Sequence, residues 1–130
     1  YPTHLWLDRD GSLLVVDSMN YRVQIFHADG GFAGEFGHQG DSSGEFASPK
    51  GVAADSHGHV YLVDALFDSV QIFNRQGELL LTFGERGAGP GQFWLPAGIF
   101  VDEKNRIYVA DSYNQRIQMF EFLGVPERGE

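Results

Sequence analysis

The sequence predicts an all-β fold of stacked four-stranded antiparallel sheets, and an internal repeat is the first reason. The chain aligns with itself without a gap, so that Asp17, Asp64 and Asp111 fall 47 residues apart. Pro, Gln, Phe and Gly also recur at matching positions. A period of about 40–50 residues indicates one supersecondary unit per copy. No segment shows the periodicity of an amphipathic helix, so the units are predicted to consist of strands.

The middle copy shows the four strands of one unit in order. Strands are predicted over 51–55 and 59–64, separated by an Asp-Ser-His-Gly turn in which the glycine adopts positive φ. A third strand follows over 69–74 and a fourth over 78–84, joined by an Arg-Gln-Gly turn. In the last copy Asn105 stands where the middle copy has the turn glycine. Asn tolerates the same backbone conformation, so the turn is expected to be retained.

Apolar residues occupy both faces of each second strand. A sheet with one solvated face would instead alternate apolar and polar residues. Such strands need cover on both sides, so each sheet is expected to lie between two others. Four-stranded sheets stacked in this way form a β-propeller. The apolar runs are 13–16, 60–63 and 107–110.

Two of the copies carry a pattern that resembles the NHL repeat. Residues 105–120 read Asn-Arg-Ile-Tyr-Val-Ala-Asp-Ser-Tyr-Asn-Gln-Arg-Ile-Gln-Met-Phe, and residues 12–26 follow a similar order. The pattern Phe-x-x-Pro-x-Gly-Ile-Phe-Val-Asp at 93–102 precedes the first of these segments. NHL propellers usually have six blades, so the resemblance implies that this chain supplies part of such a ring.

The repeat also predicts where the blades begin and end. Blades are expected at 1–47, 48–94 and 95–124, followed by a C-terminal tail at 125–130 that has no strand pattern. The last blade is therefore expected to lack its fourth strand. In NHL propellers the last blade commonly borrows a strand from the N-terminus, so the resemblance implies the C-terminal part of a propeller. The remaining blades, or self-association, are expected to cover the open faces of the arc.

Composition narrows the functional classes. The net charge is −9, from 18 acidic and 9 basic residues, and this charge repels phosphate backbones. Nucleic acid is therefore not an expected partner. The chain contains no Cys, which removes disulfides and thiolate metal sites. No apolar run approaches the ~20 residues that cross a bilayer as a helix, so no membrane span is expected.

Polar residues that recur in every copy are predicted to be structural. Each repeated Asp is expected to accept N–H groups in the turn after the second strand. A ring of metal-binding carboxylates is the alternative, but chemistry rarely needs the same group in every blade. The repeated Gln lies inside an apolar strand, where a buried amide needs hydrogen-bond partners. The positions are Asp17, Asp64 and Asp111, and Gln24, Gln71 and Gln118.

No catalytic residue, cofactor or metal site is predicted. The five His residues occupy different repeat phases, so they do not form a ring of metal ligands. The glycine-rich segment 84–92 lacks the Lys-Ser/Thr pair of a phosphate-binding loop. Segment 8–11 opens like a calcium loop but has no further ligands at the required spacing. No Ser or Thr lies in the context of a nucleophile elbow.

Surface recognition is the function that the loops favour. Loops between second and third strands are expected to cluster with the blade connectors on one face. Exposed aromatic and Arg side chains are typical anchors of protein interfaces. Leu66 and Phe67 have particular weight because they interrupt the repeat's Asp-Ser-x-Asn-x-Arg pattern, although Phe67 could also fold inward onto the connector. The candidates are Met19, Tyr21, Arg22, Leu66, Phe67, Trp94, Tyr113 and Arg116.

The expected function is a non-catalytic propeller scaffold that recognises a protein or another ligand. The alternative is part of a six-bladed, lyase-like or lactonase-like metalloenzyme whose catalytic residues lie mostly outside this chain. RNA binding, as in some animal NHL proteins, conflicts with the acidic charge. The resemblance further implies a bacterial, extracytoplasmic protein, in the periplasm or at the cell surface. A redox protein is one partner that the resemblance allows.

Overall fold

A computed structural model describes residues 2–124 and contains three antiparallel sheets of four, four and three strands. The first sheet comprises β1 (Pro2–Leu7), β2 (Leu13–Asp17), β3 (Arg22–Phe26) and β4 (Phe32–Phe36). The second comprises β5 (Pro49–Ala54), β6 (Val60–Asp64), β7 (Ser69–Phe73) and β8 (Leu79–Phe83). The third comprises β9 (Gly98–Val101), β10 (Arg106–Asp111) and β11 (Arg116–Glu121). A short 3₁₀ turn spans Ser18–Asn20.

The predicted all-β propeller arc is confirmed. Within each sheet every strand pairs with its neighbours in chain order, and the first strands β1, β5 and β9 lie side by side. The three sheets are called the first, middle and last blade below. In the described part of the chain the last blade has three strands. The tail predicted at 125–130 lies outside the described residues. Within residues 2–124 no helix is long or apolar enough to cross a membrane.

Stacking of the blades explains the two-sided apolar strands. Every residue of β6 and of β7 is buried, because the middle blade has a neighbour on each side. Strand β10 alternates between buried and partly exposed residues instead. Its Ile107 and Val109 pack towards the middle blade, whereas Tyr108 and Ala110 face the side that no described sheet covers. The outer side of β10 is thus partly exposed, whereas β2 of the first blade is buried at four of its five residues.

Each connector between blades inserts one aromatic ring into the core. Phe46 and Phe93 are completely buried, and each packs against the aromatic residues of the neighbouring strands. The ring of Phe46 lies where a side chain at Gly37 would stand, since a Cβ there would come within 2.2 Å of it. Likewise, a Cβ at Gly84 would come within 2.5 Å of the Phe93 ring. These close approaches require glycine at the start of both connectors.

The innermost strands approach one another closely. A Cβ at Gly51 in β5 would lie 3.4 Å from Gly98 Cα in β9, so glycine permits the packing of these strands. Trp6 in β1 reaches past β5 and meets the ring of Phe100 in β9, with centroids 5.4 Å apart. Arg9 donates to the Asp102 carbonyl oxygen at 2.8 Å, which also joins the first blade to the last.

Both ends of the arc expose apolar blade faces. Leu7 and Phe32 are exposed on the first blade, and Ile117 and Met119 are exposed on the last. Contiguous apolar surface of this kind usually marks an interface. Cover by further blades or by self-association stays a prediction.

The connector rings should carry a large share of the stability. Phe93→Ala should lower the free energy of unfolding by about 3–5 kcal/mol, because it leaves a cavity between two blades. Phe32→Ala makes the same chemical change at an exposed position and should cost less than about 1 kcal/mol. Urea unfolding followed by tryptophan fluorescence measures both. Equal losses for the two variants would contradict this role for the connector ring.

Candidate recognition surface

The loops between second and third strands meet the connectors at one end of the sheets, here called the connector face. It comprises 18–21, 37–48, 65–68, 84–97 and 112–115. The Ala65 N–H donates to Ser48 O at 2.9 Å, and the Tyr113 N–H donates to Trp94 O at 3.1 Å. The loops of the middle and last blades are therefore each bonded to the connector that precedes their own blade. The opposite end, with the turns after first and third strands, is called the turn face.

Asp64 anchors the middle loop through backbone donors. Its side chain is fully buried and accepts N–H groups from Ala47 at 2.8 Å and Ser48 at 3.0 Å in the connector. It also accepts from Leu66 at 3.1 Å and Phe67 at 3.4 Å in its own loop. This is the turn-capping arrangement that the repeated Asp suggests, extended to the connector.

Asp111 uses side-chain donors at the equivalent position. It accepts the Trp94 N–H at 2.8 Å, the Asn114 amide at 2.9 Å and the Arg116 Nε at 2.8 Å. Burial opposes the ionisation of Asp111, but these hydrogen bonds outweigh it and hold its pKa below the usual value. Asp17 likewise accepts from Asn20 at 2.9 Å and from Arg22 at 3.0 Å.

The repeated Gln side chains fix the connectors to the third strands. Gln71 accepts the Gly44 N–H at 2.8 Å and donates to Glu45 O at 3.0 Å. Gln118 makes the same pair of bonds, with Gly91 N at 3.1 Å and Gln92 O at 2.7 Å. Gln24 lies in β3 opposite Glu35 and has no side-chain hydrogen bond to another described residue.

Three apolar candidates form a row around the connector face. Met19, Leu66 and Tyr113 are 66%, 66% and 61% exposed. They lie 47 residues apart, so each occupies the same place in its loop. The shared repeat phase of these three residues is the sequence signal that identifies the row. Trp94 lies beside its last member, with its ring centroid 4.5 Å from that of Tyr113.

Sequence reasoning did not single out Arg86 or Asp68. The Arg86 guanidinium lies 5.4 Å from the centre of the Trp94 ring, within the range of a cation–π contact. Asp68 accepts the Leu95 N–H at 2.7 Å and lies 3.4 Å from Arg86 Nε. Together they hold the second connector against the middle loop. Arg86 lies in a glycine-rich segment, where no strand pattern indicates its side-chain direction.

Other predicted candidates are turned towards the protein itself. Tyr21 packs against the core between the first and middle blades. Arg22 pairs with Asp17 and Glu35. Arg116 donates to Asp111 and to two connector carbonyl oxygens. Phe67 is half buried and lines a cavity of about 220 Å³ beside the first connector.

The turn face contains a larger cavity, of about 540 Å³, which three Asp and two Arg side chains line. Arg75 forms an ion pair with Asp8, which joins the middle and first blades. Arg9 in the wall of this cavity is bonded to the last blade. Both Arg side chains here serve contacts between blades, so this cavity is a weaker candidate for an anionic ligand.

A second turn-face cavity, of about 390 Å³, contains an Asp–His–Tyr group. Asp55 accepts from the Tyr61 hydroxyl at 2.7 Å and contacts His59 Nδ1 at 2.7 Å. Burial opposes the ionisation of Asp55, but bonds from Tyr61 and His59 keep its pKa below the usual value. Burial, followed by the bond to Asp55, raises the pKa of Tyr61.

The last blade repeats this arrangement with an arginine. Asp102 accepts from Arg106 Nε at 2.7 Å and from the Tyr108 hydroxyl at 3.0 Å. Burial opposes its ionisation, but these bonds and the Arg106 N–H hold its pKa at about 2. The same Asp–Tyr pair thus occurs with His59 in the middle blade and with Arg106 in the last. This recurrence indicates that the arrangement stabilises the turn after the first strand.

Among residues 2–124, no three His, Asp or Glu side chains are placed to share a metal ion. The Asp17, Asp64 and Asp111 carboxylates each bind the loop of their own blade instead. Asp111 and Asp64 are fully buried and already surrounded by hydrogen-bond donors. Their surroundings are those of structural carboxylates.

A family model described as 6-bladed beta-propeller (DUF5128) matches residues 54–127. No curated protein sequence matches the chain significantly. Virginiamycin B lyase from Staphylococcus aureus is similar in fold, at 16% identity and a TM-score of 0.62, over 95% of this chain and 42% of the lyase.

Two proteins from Bacteroides thetaiotaomicron share the fold. One is a structural genomics protein of unknown function, at 18% identity and a TM-score of 0.68 over 91% of this chain and 34% of its own. The other is an auxiliary nutrient binding protein, at 17% identity and a TM-score of 0.66, over 89% of this chain and 36% of its own. The chain thus spans less than half the length of these solved structures.

The Asp111 carboxylate should stabilise the connector face in its charged form. Asp111→Asn should lower the free energy of unfolding at pH 7 by about 2–3 kcal/mol, since hydrogen bonds to a charged acceptor are weakened. The native pKa is lowered, so this contribution is present above the ordinary Asp pKa of about 4 and declines as the pH falls through the native value. Urea unfolding at pH 7 and at lower pH measures the difference.

Asp29→Asn in an exposed turn is the control for this measurement. It should change the free energy of unfolding by less than about 0.5–1 kcal/mol at either pH. If Asp111→Asn lowers the free energy of unfolding by the same amount at low pH as at pH 7, the carboxylate charge is not the source of the loss.

Proposed function

This chain belongs to the DUF5128 family of 6-bladed β-propellers, and from that premise we propose that it is a non-catalytic scaffold which binds a protein through its connector face. The row of Met19, Leu66 and Tyr113 is the observation that carries the proposal. Because the three residues share one repeat phase, each blade presents one exposed large side chain at the same place on this face.

Rigidity of the connector face supports a role in binding. The loops of the middle and last blades are bonded to the connectors, and the connectors are bonded to Gln71 and Gln118 in the third strands. A surface that is already ordered loses little conformational entropy when a partner binds. Leu66 and Tyr113 are therefore presented in a fixed geometry.

The chemistry of the row favours a protein partner. Trp94 and Tyr113 form an aromatic pair, and Arg86 lies over the Trp94 ring. Aromatic residues and Arg are enriched in the central contacts of protein interfaces. The acidic surface, with a net charge of −9, favours a partner whose contacting surface is basic.

Part of a lyase-like enzyme is the alternative class. The similarity to virginiamycin B lyase, at 16% identity, extends to the fold alone. At the larger turn-face cavity Arg75 pairs with Asp8, and Arg9 donates to the Asp102 carbonyl oxygen, so both Arg side chains serve contacts between blades. The arrangement of the described residues therefore gives more support to binding than to catalysis.

Removal of the row should abolish partner binding. The triple variant Met19→Asp, Leu66→Asp, Tyr113→Asp adds three negative charges to the row. The amount of captured partner should fall at least about tenfold, because each new carboxylate would have to lose its water where an apolar contact was made. Immobilised protein, incubated with extract of the source organism and analysed by quantitative mass spectrometry, measures the loss for each captured protein.

A matched control adds the same charge to the turn face. Ala28→Asp, His57→Asp, Gln76→Asp changes three exposed residues there and should leave capture unchanged. Thermal unfolding shows that both triple variants remain folded. Equal capture by the wild type and the row variant would refute the proposed surface, and equal losses in both variants would show that net charge alone explains binding.

A further inference from the structure

The middle blade departs from the repeat at one position in its loop and at the first residue of β7. Phe67 and Ser69 stand where the last blade has Asn114 and Arg116. The loop backbone is nevertheless retained, since Asp68 has φ of 51° and the equivalent Gln115 has φ of 54°. The two loops therefore differ in their side chains but share this backbone conformation.

In the last blade these side chains satisfy connector carbonyl groups. Asn114 donates to Gly87 O at 2.8 Å. Arg116 Nη2 donates to Gly89 O at 2.8 Å and to Gln92 O at 2.9 Å. The Arg116 guanidinium thus fills the space between its own strand and the connector.

In the middle blade the corresponding carbonyl groups belong to Gly40, Ser42 and Glu45. Glu45 O accepts from Gln71, as its equivalent does from Gln118. Ser42 O accepts the Glu45 N–H at 3.0 Å, as Gly89 O accepts the Gln92 N–H, but among residues 2–124 no side chain donates to Gly40 O or Ser42 O. The loss of Asn and Arg leaves oxygen acceptors of the first connector without their side-chain donors.

A cavity of about 220 Å³ lies at this place in the middle blade. Its wall combines Ser42 of the first connector with Ser69 and Gln71 of β7. Phe67 contributes an aromatic wall, and Asp41 at the rim is exposed. Of the three residues with the corresponding carbonyl groups, Ser42 lines the cavity. Its backbone oxygen, a carboxylate and an aromatic ring together favour a planar cation.

We propose that this cavity receives the guanidinium group of an arginine side chain from a protein partner. The proposal rests on the function proposed above, because the cavity adjoins Leu66 in the middle of the row. Arginine fits better than lysine, since its fork can donate to two carbonyl oxygens as Arg116 does in the last blade. The partner would supply the arginine that the middle blade's own sequence lacks.

The direct test uses Nα-acetyl-arginine-N-methylamide as the probe on the unmodified chain. Two-dimensional NMR should show saturable shifts of the Ser42, Ser69 and Gln71 amides. Weak affinity is expected from a single side chain, with a Kd on the order of 1–10 mM. The citrulline analogue is nearly isosteric but uncharged, and it should bind at least about tenfold more weakly. Equal affinity for both probes, or shifts confined to other residues, would overturn the proposal.

A variant that restores the repeat gives the complementary test. Phe67→Asn with Ser69→Arg places the chain's own guanidinium in the cavity, so it should abolish probe binding and raise the melting temperature. Leu66→Ala, which changes the neighbouring row residue, should leave probe affinity within about twofold. Undiminished probe binding by the restored double variant would place the probe elsewhere and refute the site.

The two proposals can fail separately. If the probe does not bind while the row variant still loses partner capture, the arginine cavity is refuted and the recognition surface stands. If the probe binds as expected while row and control variants capture equally, the guanidinium site stands and the apolar row is not the docking surface. The comparison of arginine and citrulline needs no variant, so its result does not depend on variant folding.

Discussion

Each sheet of this protein has apolar residues on both faces, and only another sheet can cover them. The middle blade shows the result, because β6 and β7 are buried along their whole length. Burial of apolar surface is the dominant favourable term in folding. Stacking therefore places every loop at one of two ends, and the available binding surfaces are those ends and the open faces of the outer blades.

The connector face is held in place by the same groups that recur in the repeat. Buried Asp and Gln side chains satisfy backbone donors and acceptors of connectors that would otherwise be irregular and costly to bury. Asp64 alone accepts four N–H groups from connector and loop. Residues that recur in every blade thus fix the backbone of the connector face. Residues that differ between blades determine which side chains this face exposes. Phe67 and Ser69 belong to the second class.

The sequence predicted the middle blade well because each of its strands is defined by local composition and turn residues. The predicted strand 69–74 is observed at Ser69–Phe73, and Asn105 adopts the expected positive φ, at 63°. Uniform burial of the second strands was predicted for all blades, but it fails for β10, whose outer side has no described neighbour. Neighbours in a stack are a property of the assembly, which a local pattern does not contain.

The candidate surface was less predictable than the fold. The exposed positions Met19, Leu66 and Tyr113 were among the candidates because loops and apolar residues can be read locally. Arg116 was grouped with them, although its donors are used by Asp111 and by connector carbonyl groups. Such partners lie more than twenty residues away or across a loop, so only coordinates reveal them. The role of Phe93 was missed for the same reason.

The innermost strands leave little room for a larger side chain at Gly51. Trp6 and Phe100 meet past β5, and a Cβ at Gly51 would already contact Gly98 and Ile99 at 3.4 Å and Val63 at 3.3 Å. A residue longer than alanine would therefore have to displace β9 or the Val63 side chain. The first blade carries His4 at the equivalent repeat position. The spacing between the middle and last blades at this edge is thus the one that residue 51 limits.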